Sequence, residues 1–171
     1  MAQVLRKILV LGVGNILFSD EGVGVRAVER LQATYAFSEN VTLMDGGNLG
    51  MGLMGPLMEA DVCIVLDAVC AGDAPGTIYR LTGDDLRKSI AFKDSMHQCD
   101  LVDTLISCEM IGRRPQTVVI GMEPADIQTM SLELSPAVAA RVPAMCDRAL
   151  IEVAEAGGQA RLREAPRETA P

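Results

Sequence analysis

The 171-residue sequence has no pair of cysteines at the C-x-x-C spacing, and its five cysteines are an odd number. Both features argue against a disulfide framework and against a structural zinc site. No apolar run approaches the roughly 20 residues that span a bilayer. The apolar stretch near the N-terminus is interrupted by glycines and Asn15 and lacks a small-residue cleavage pattern, unlike a signal peptide. We therefore expect a soluble cytoplasmic protein without a membrane partner.

Positive charge is also scarce. Lysine and arginine together number 15, against 23 aspartate and glutamate residues, and the formal net charge is −8. Such a surface repels phosphate backbones, so nucleic acid is not an expected partner, whereas a partner segment with positive charge suits it better. The length fits one domain with one good-sized core, and we expect a monomer.

Apolar runs alternate with helical patterns along the chain. Strands are predicted at 7–12, 41–45, 61–69, 76–81 and 117–123. Helices are predicted from Ser19 or Asp20, as the capping residue, to about Tyr35, and at 51–58, 98–111 and 136–156. This alternation predicts an α/β fold with a mainly parallel sheet.

The composition changes near the C-terminus. Residues 1–156 are predicted to form a single α/β catalytic domain. Residues 157–171 are rich in Gly, Pro, Arg, Glu and Ala and have no apolar period, so a mobile tail is predicted there.

Reactive side chains follow the predicted strands at one edge of the sheet. In open α/β sheets, ligands bind beyond the carboxyl ends of the strands. Glu21 follows the first strand, Asp67 ends the third, and His97, the only histidine, precedes the next helix. Two acids and an imidazole with open coordination positions suit a borderline divalent ion such as nickel or zinc.

Each of these residues also has a structural interpretation. Asp20 and Glu21 can cap a helix and complement its dipole, and only one of them is needed as a cap. Asp67 ends so apolar a strand that it needs a partner, for which a hydrogen bond to a nearby loop would suffice. A lone histidine such as His97 is more often a surface or capping residue, although a helix N-terminus keeps the ring neutral and available to a metal.

Two further features admit a chemical interpretation. Cys99 lies two residues from His97, which raises a thiol nucleophile as an alternative, but residues two apart on a helix do not face each other. Met51, Met54 and Met58 have helical spacing. Core packing is the ordinary interpretation of such a pattern, and a Met-lined groove for a peptide is the alternative.

The stretch GVGNILFSDEGVG, at 12–24, begins like a dinucleotide-binding loop. Gly12 and Gly14 match its first two glycines, and Asp45 ends the second strand as a ribose-binding acid would, but Leu17 replaces the third glycine. Asp20 and Glu21 also place negative charge where a pyrophosphate would rest. The glycines therefore indicate a tight turn and a close backbone approach to something other than phosphate.

This stretch resembles the N-terminal signature of the hydrogenase maturation endopeptidases, which trim the C-terminus of the large subunit of nickel–iron hydrogenases. The resemblance continues in the same order through DGGNLG (45–50), IVLDAV (64–69), APGTIYRL (74–81) and SMHQCDLVDTL (95–105). It departs at Asn48, where many members have a hydroxyl residue, and at Met96, where proline is frequent. These departures concern substrate preference.

With the resemblance, the expected fold is a three-layer α/β/α sandwich, phosphorylase/hydrolase-like, whose mainly parallel twisted sheet has about five strands, one of them antiparallel. The resemblance also implies a specific site. In that family a glutamate, an aspartate and a histidine bind a metal ion, and they correspond to Glu21, Asp67 and His97. The family uses the nickel already loaded in the substrate for recognition, and zinc or cadmium can occupy the site in vitro. The cut falls after a basic residue, and Asp45, with Asn15, is expected to help position the substrate.

The leading hypothesis is thus a nickel-dependent endopeptidase. The ion could polarise the scissile carbonyl or activate a water, and a carboxylate could act as general base. The alternatives are a non-enzymatic nickel carrier for hydrogenase assembly and a nucleotide-binding α/β enzyme.

Overall fold

The structure is a computed structural model that describes residues 5–83, 85 and 96–164, and within 96–100 it describes the backbone only. The strands are β1 (Ile8–Val13), β2 (Tyr35–Phe37), β3 (Val41–Gly47), β4 (Val62–Ala68), β5 (Ile78–Thr82), β6 (Gln116–Met122) and β7 (Ala160–Leu162). The helices are α1 (Val23–Thr34), α2 (Met54–Glu59), α3 (Met96–Met110), α4 (Pro136–Ala139) and α5 (Val142–Glu155). Among the described helices, none is both long and apolar enough to cross a membrane.

A five-stranded sheet has the order β3-β1-β4-β6-β5. The first four of these strands are parallel, and β5 pairs antiparallel with β6 at the edge. Every residue of β1 and β4 is buried, as expected for central parallel strands covered on both faces. The α/β prediction, with its single antiparallel strand, is therefore confirmed.

The continuous apolar runs supply two cores, because successive side chains of a strand point to opposite faces of the sheet. In β1, Ile8 and Val10 pack on one face with α1 and α5. Leu9 and Leu11 pack on the other face with α2 and α3. The sheet thus lies between two helical layers, and the carboxyl ends of its parallel strands remain at one edge.

Two helix boundaries differ from the sequence prediction. A 3-10 turn at Ser19–Gly22 precedes α1, whose N-cap is Gly22 without a side-chain cap, so the prediction that Ser19 or Asp20 caps this helix is wrong. The single helix predicted at 136–156 is divided into α4 and α5. Pro143 lies in the first turn of α5, where its missing N–H costs least, and this favours a new helix start there.

The segment predicted to be a mobile tail contributes a strand. Residues of β7 pair antiparallel with β2, with Arg161 opposite Ala36. Gly158 donates its N–H to the carbonyl of Val153 (2.8 Å), and a Cβ on it would crowd Val41. The packed chain therefore extends beyond residue 156, and residues 165–171 lie outside the described residues.

Glycines bring the start of α1 into direct contact with the sheet. A Cβ on Gly24 would overlap the carbonyl oxygen of Leu66 and lie 2.5 Å from that of Val13. Gly14 has a φ of +126°, and a Cβ on it would overlap the carbonyl oxygen of Glu21. The glycines thus serve a close backbone approach, and what they approach is the neighbouring strand and turn of the protein itself.

This contact yields a prediction for Gly24→Ala. The added methyl group would push α1 away from β1 and β4, because backbone carbonyls cannot move aside as a flexible side chain can. We expect a loss of about 2 kcal/mol or more in the free energy of unfolding, measured by urea denaturation. Gly55→Ala in α2 is the control, since nothing lies within 4 Å of its Cβ position and alanine favours the helix. Equal stability of the two variants would contradict the close-contact interpretation.

Candidate active site

The two predicted carboxylate ligands with described side chains lie at the carboxyl edge of the sheet. β1 and β4 are adjacent and parallel, with Gly12 opposite Leu66. Asp67 is therefore one residue beyond that pair, and the loop that follows β1 contains Glu21. Because parallel strands end at the same edge, the fold brings these two segments together from distant parts of the chain.

Asp67 is buried in an environment that disfavours its charge. Burial, together with a smaller effect of the charge of Glu21, raises the pKa of this carboxyl group to about 8, against an opposing hydrogen bond from the Ala68 N–H (2.8 Å) to Oδ1. The interaction shows that Glu21 and Asp67 are close enough to couple electrostatically. Such a pair of carboxyl groups favours a proton or a cation between them.

Asp20 does not cap a helix, which is the role that its position in the sequence suggested. Its carboxylate is fully buried and accepts hydrogen bonds from the backbone N–H groups of Ala125 (2.8 Å), Asp126 (3.0 Å) and Ser135 (2.7 Å), and from the Ser135 hydroxyl (2.8 Å). These partners lie in the segment after β6, more than 100 residues away. Asp20 therefore fixes the turn that carries Glu21 to that segment, and does not cap α1.

Glu123, which the sequence analysis did not single out, holds the loop that follows Asp67. Its buried carboxylate accepts hydrogen bonds from the N–H groups of Ala71 (2.8 Å) and Gly72 (3.2 Å) and from the Tyr79 hydroxyl (2.6 Å). Burial works to raise the pKa of Glu123, but these hydrogen bonds outweigh it and lower the pKa. The available signal was an acid directly after an apolar strand, the same signal that identified Asp67.

The predicted substrate-binding residues lie at the same edge. Asp45 is exposed near the end of β3, and its Oδ1 accepts the N–H of Gly47 (2.9 Å). Asn15 lies in the loop after β1, where its side-chain oxygen accepts the N–H of Leu17 (3.0 Å). The Gly14 N–H also donates to the Gly47 carbonyl (3.1 Å), so these two loops are in contact.

His97 lies in the first turn of α3, and only its backbone is described. Because α3 leads into β6, which is parallel to β4, it runs back across the sheet and its first turn is at the carboxyl edge. Leu101, Leu105 and Cys108 fix this helix in the core shared with α2. Among the described side chains there is no group of three metal-ligating residues. The metal triad and the Cys99 alternative, whose side chain is likewise outside the description, therefore stay predictions.

Comparison with known proteins identifies relatives whose names all refer to hydrogenase maturation or formation. A family model described as hydrogenase maturation protease matches residues 25–152. The Hydrogenase 2 maturation protease of Escherichia coli (strain K12) is 36% identical over 161 residues, which cover 93% of this chain and 98% of the relative. The hydrogenase expression/formation protein HupD of Thiocapsa roseopersicina is 40% identical over 160 residues, 92% of this chain and 72% of the relative.

A solved structure agrees with the fold. The hydrogenase maturating endopeptidase HybD from E. coli matches with a TM-score of 0.87 and 35% sequence identity, over 92% of this chain and 98% of that one. The mostly parallel five-stranded sheet between two helical layers is thus the architecture of a known endopeptidase.

The burial of Asp67 predicts a pH-dependent effect of Asp67→Asn. With a pKa raised to about 8, Asp67 contributes stability that is fully present below its unfolded pKa, near 4, and is lost as the pH rises through 8. An asparagine stays neutral throughout and can accept the Ala68 N–H. We expect the melting temperature of the variant minus that of the wild type to increase from pH 5 to pH 9, measured by calorimetry without metal.

The control is Asp147→Asn at an exposed site. A difference for Asp67→Asn that does not change with pH would contradict the raised pKa of Asp67.

The Asp20 contacts predict a large effect of Asp20→Ala. The substitution would leave three N–H groups and a hydroxyl without their acceptor, and we expect a loss of about 3 kcal/mol or more in urea denaturation. Asp61→Ala is the matched control, because exposed Asp61 accepts one N–H, from Lys7 (2.8 Å), and its loss should cost about 1 kcal/mol or less. Similar losses in the two variants would refute the bridging role of Asp20.

Proposed function

Because the chain belongs to the hydrogenase maturation protease family, we propose that it is the endopeptidase that removes a short C-terminal extension from the nickel-loaded large-subunit precursor of a nickel–iron hydrogenase. The observation that carries the proposal is the buried Asp67 at the carboxyl edge, electrostatically coupled to the half-buried Glu21. His97 lies in the first turn of α3 at that edge, and the proposal assigns its imidazole as the third ligand.

In this proposal the nickel ion is part of the substrate. The precursor brings the ion, and Glu21, Asp67 and His97 complete its coordination with oxygen and nitrogen ligands, which suit a borderline divalent ion. A cation beside Asp67 favours the ionised carboxylate, so arrival of the ion displaces the proton that burial otherwise retains. Recognition of the substrate is thereby coupled to the presence of its metal.

Hydrolysis then takes place beside the bound ion. The ion would supply polarisation of the scissile carbonyl or activation of a water. A carboxylate of the site would accept a proton from the attacking water, and the C–N bond would break as the leaving amine is protonated. Asp45 presents an exposed carboxylate at the same edge, which suits the basic residue that the family cleaves after. Asn15, in the adjoining loop, lines the path of the peptide.

The two alternatives differ from this proposal in what the site must do. A nucleotide-binding enzyme needs phosphate-binding N–H groups before α1, whereas this turn contains Asp20 and Glu21 and makes its contacts with the segment after β6. A nickel carrier would need the same three ligands but would leave the precursor at full length. Cleavage therefore distinguishes the protease from the carrier.

The test is incubation with purified nickel-loaded precursor, with its mass followed by mass spectrometry. We expect the wild type to shorten it and Asp67→Asn, Glu21→Gln and His97→Ala to lower the rate by about a hundredfold or more, because each removes a ligand of the ion. Asp103→Asn, at an exposed position on α3, should cleave normally, and nickel-free precursor should stay intact.

A full-length precursor after incubation with folded wild-type protein would refute the protease and leave the carrier. Wild-type rates in all three ligand variants would instead refute this site as the place of cleavage. Circular dichroism of each variant checks that a lost activity does not come from a lost fold.

A further inference from the structure

Three exposed apolar side chains form a patch beside Glu21. Leu17, Met130 and Leu132 are 50%, 77% and 57% exposed. Phe18 and Ser131 form a parallel bridge, in which the Ser131 N–H donates to the Leu17 carbonyl (3.0 Å) and the Ser19 N–H donates to the Ser131 carbonyl (2.8 Å). The patch is therefore built on two segments that hydrogen bonds hold side by side.

A second exposed patch consists of Leu49 and Met51, which are 55% and 56% exposed. Met54 and Met58 pack against the core, as the sequence pattern predicted, but Met51 does not. Its sulfur accepts a hydrogen bond from the Thr104 hydroxyl of α3 (3.7 Å). The Met51 side chain is thus held at its sulfur by α3, while much of its surface is exposed to solvent.

The two patches lie in loop segments beside different helical layers, at the same edge of the sheet. Leu17 is within one turn of Glu21, whose N–H donates to the Phe18 carbonyl (3.1 Å). Leu49 follows β3, on the side of the sheet where α2 and α3 pack. We call these five side chains, Leu17, Leu49, Met51, Met130 and Leu132, the apolar rim; its two parts come from the layers on either side of the candidate site.

Acidic side chains predominate in the described segments around the apolar rim, where Arg26, which donates to the Leu132 carbonyl (3.0 Å), is paired with Glu29 (3.0 Å). The segments 14–22, 45–53, 69–77 and 123–135, which follow the four parallel strands, contain seven aspartate and glutamate residues and no lysine or arginine. A second copy of this chain would bring acidic segments against each other and be repelled. A peptide with positive charge would be attracted to the same surface.

We propose that the apolar rim docks an extended segment of the precursor that carries both apolar and cationic side chains. This inference rests on the proposed function and adds the chemistry of the partner surface. The apolar side chains of the segment cover the apolar rim, and its cationic groups face the acidic loops. Docking of this kind uses the protein surface and is separate from the metal-dependent engagement of the scissile segment at Glu21, Asp67 and His97, so nickel-free precursor should dock as well.

The test compares double variants. Met130→Ser/Leu132→Ser and Leu49→Ser/Met51→Ser remove the two parts of the apolar rim. The matched control is Ile106→Ser/Met110→Ser, which removes an exposed aliphatic residue and an exposed methionine near the far end of α3. Two measurements are made on each protein: the kcat and KM for nickel-loaded precursor, and the affinity for nickel-free precursor by biolayer interferometry.

We expect each rim variant to raise KM and the Kd for nickel-free precursor about tenfold, with kcat and melting temperature close to wild type, since a few apolar anchors dominate such interfaces. The control should match the wild type.

If the rim variants keep the KM and the affinity of the wild type, the docking proposal is overturned, whereas cleavage by the wild type would still support the protease. Rim-dependent binding without cleavage by the wild type would support docking and refute the protease. A wild-type dimer in analytical ultracentrifugation that the rim variants dissociate, or a wild type that binds no precursor, would also overturn docking.

Discussion

The hydrogen bonds to the buried Asp20 carboxylate are the interaction on which the candidate site depends. They join the turn after β1 to the segment after β6, and Glu21 is the next residue along that turn. The same junction places Leu17 beside the exposed residues around Ser131. Because a charged acceptor binds N–H groups more strongly than a neutral one, a single side chain can order a segment that has little regular structure of its own.

Three buried carboxyl groups lie at this edge, those of Asp20, Asp67 and Glu123, and their surroundings give them different roles. The hydrogen bonds to Glu123 lower its pKa, and the group remains a fixed anion that holds the loop after β4. Asp67, on the neighbouring strand, has its pKa raised by burial and by the charge of Glu21. Asp20 and Glu123 are thus satisfied by backbone donors, whereas Asp67 is left in a state that a cation relieves. That contrast distinguishes the two positioning residues from Asp67, the ligand in the proposed function.

The sequence predicted what depends on local pattern. The strand runs and the position of Asp67 follow from apolar periodicity and from the rule that parallel strands end at one edge. The role of Asp20 could not be read this way, because its partners are more than 100 residues distant and a local interpretation assigns the acid to the nearest helix. Glu123 was missed for a similar reason: its partners become visible only when β5 and the loop after β4 are folded against β6. The strand β7 was missed because its pairing with β2, and not its composition, creates it.

The absence of basic residues from the four described segments that follow the parallel strands, 14–22, 45–53, 69–77 and 123–135, also affects what happens before contact. A partner that carries positive charge experiences a field that is directed towards this face, and rotational diffusion within the field brings the reactive faces into register sooner than chance would. Screening by salt shortens the reach of that field to about 10 Å at 0.1 M ionic strength. The association rate should consequently carry most of the ionic-strength dependence, while the lifetime of the complex reflects its apolar contacts.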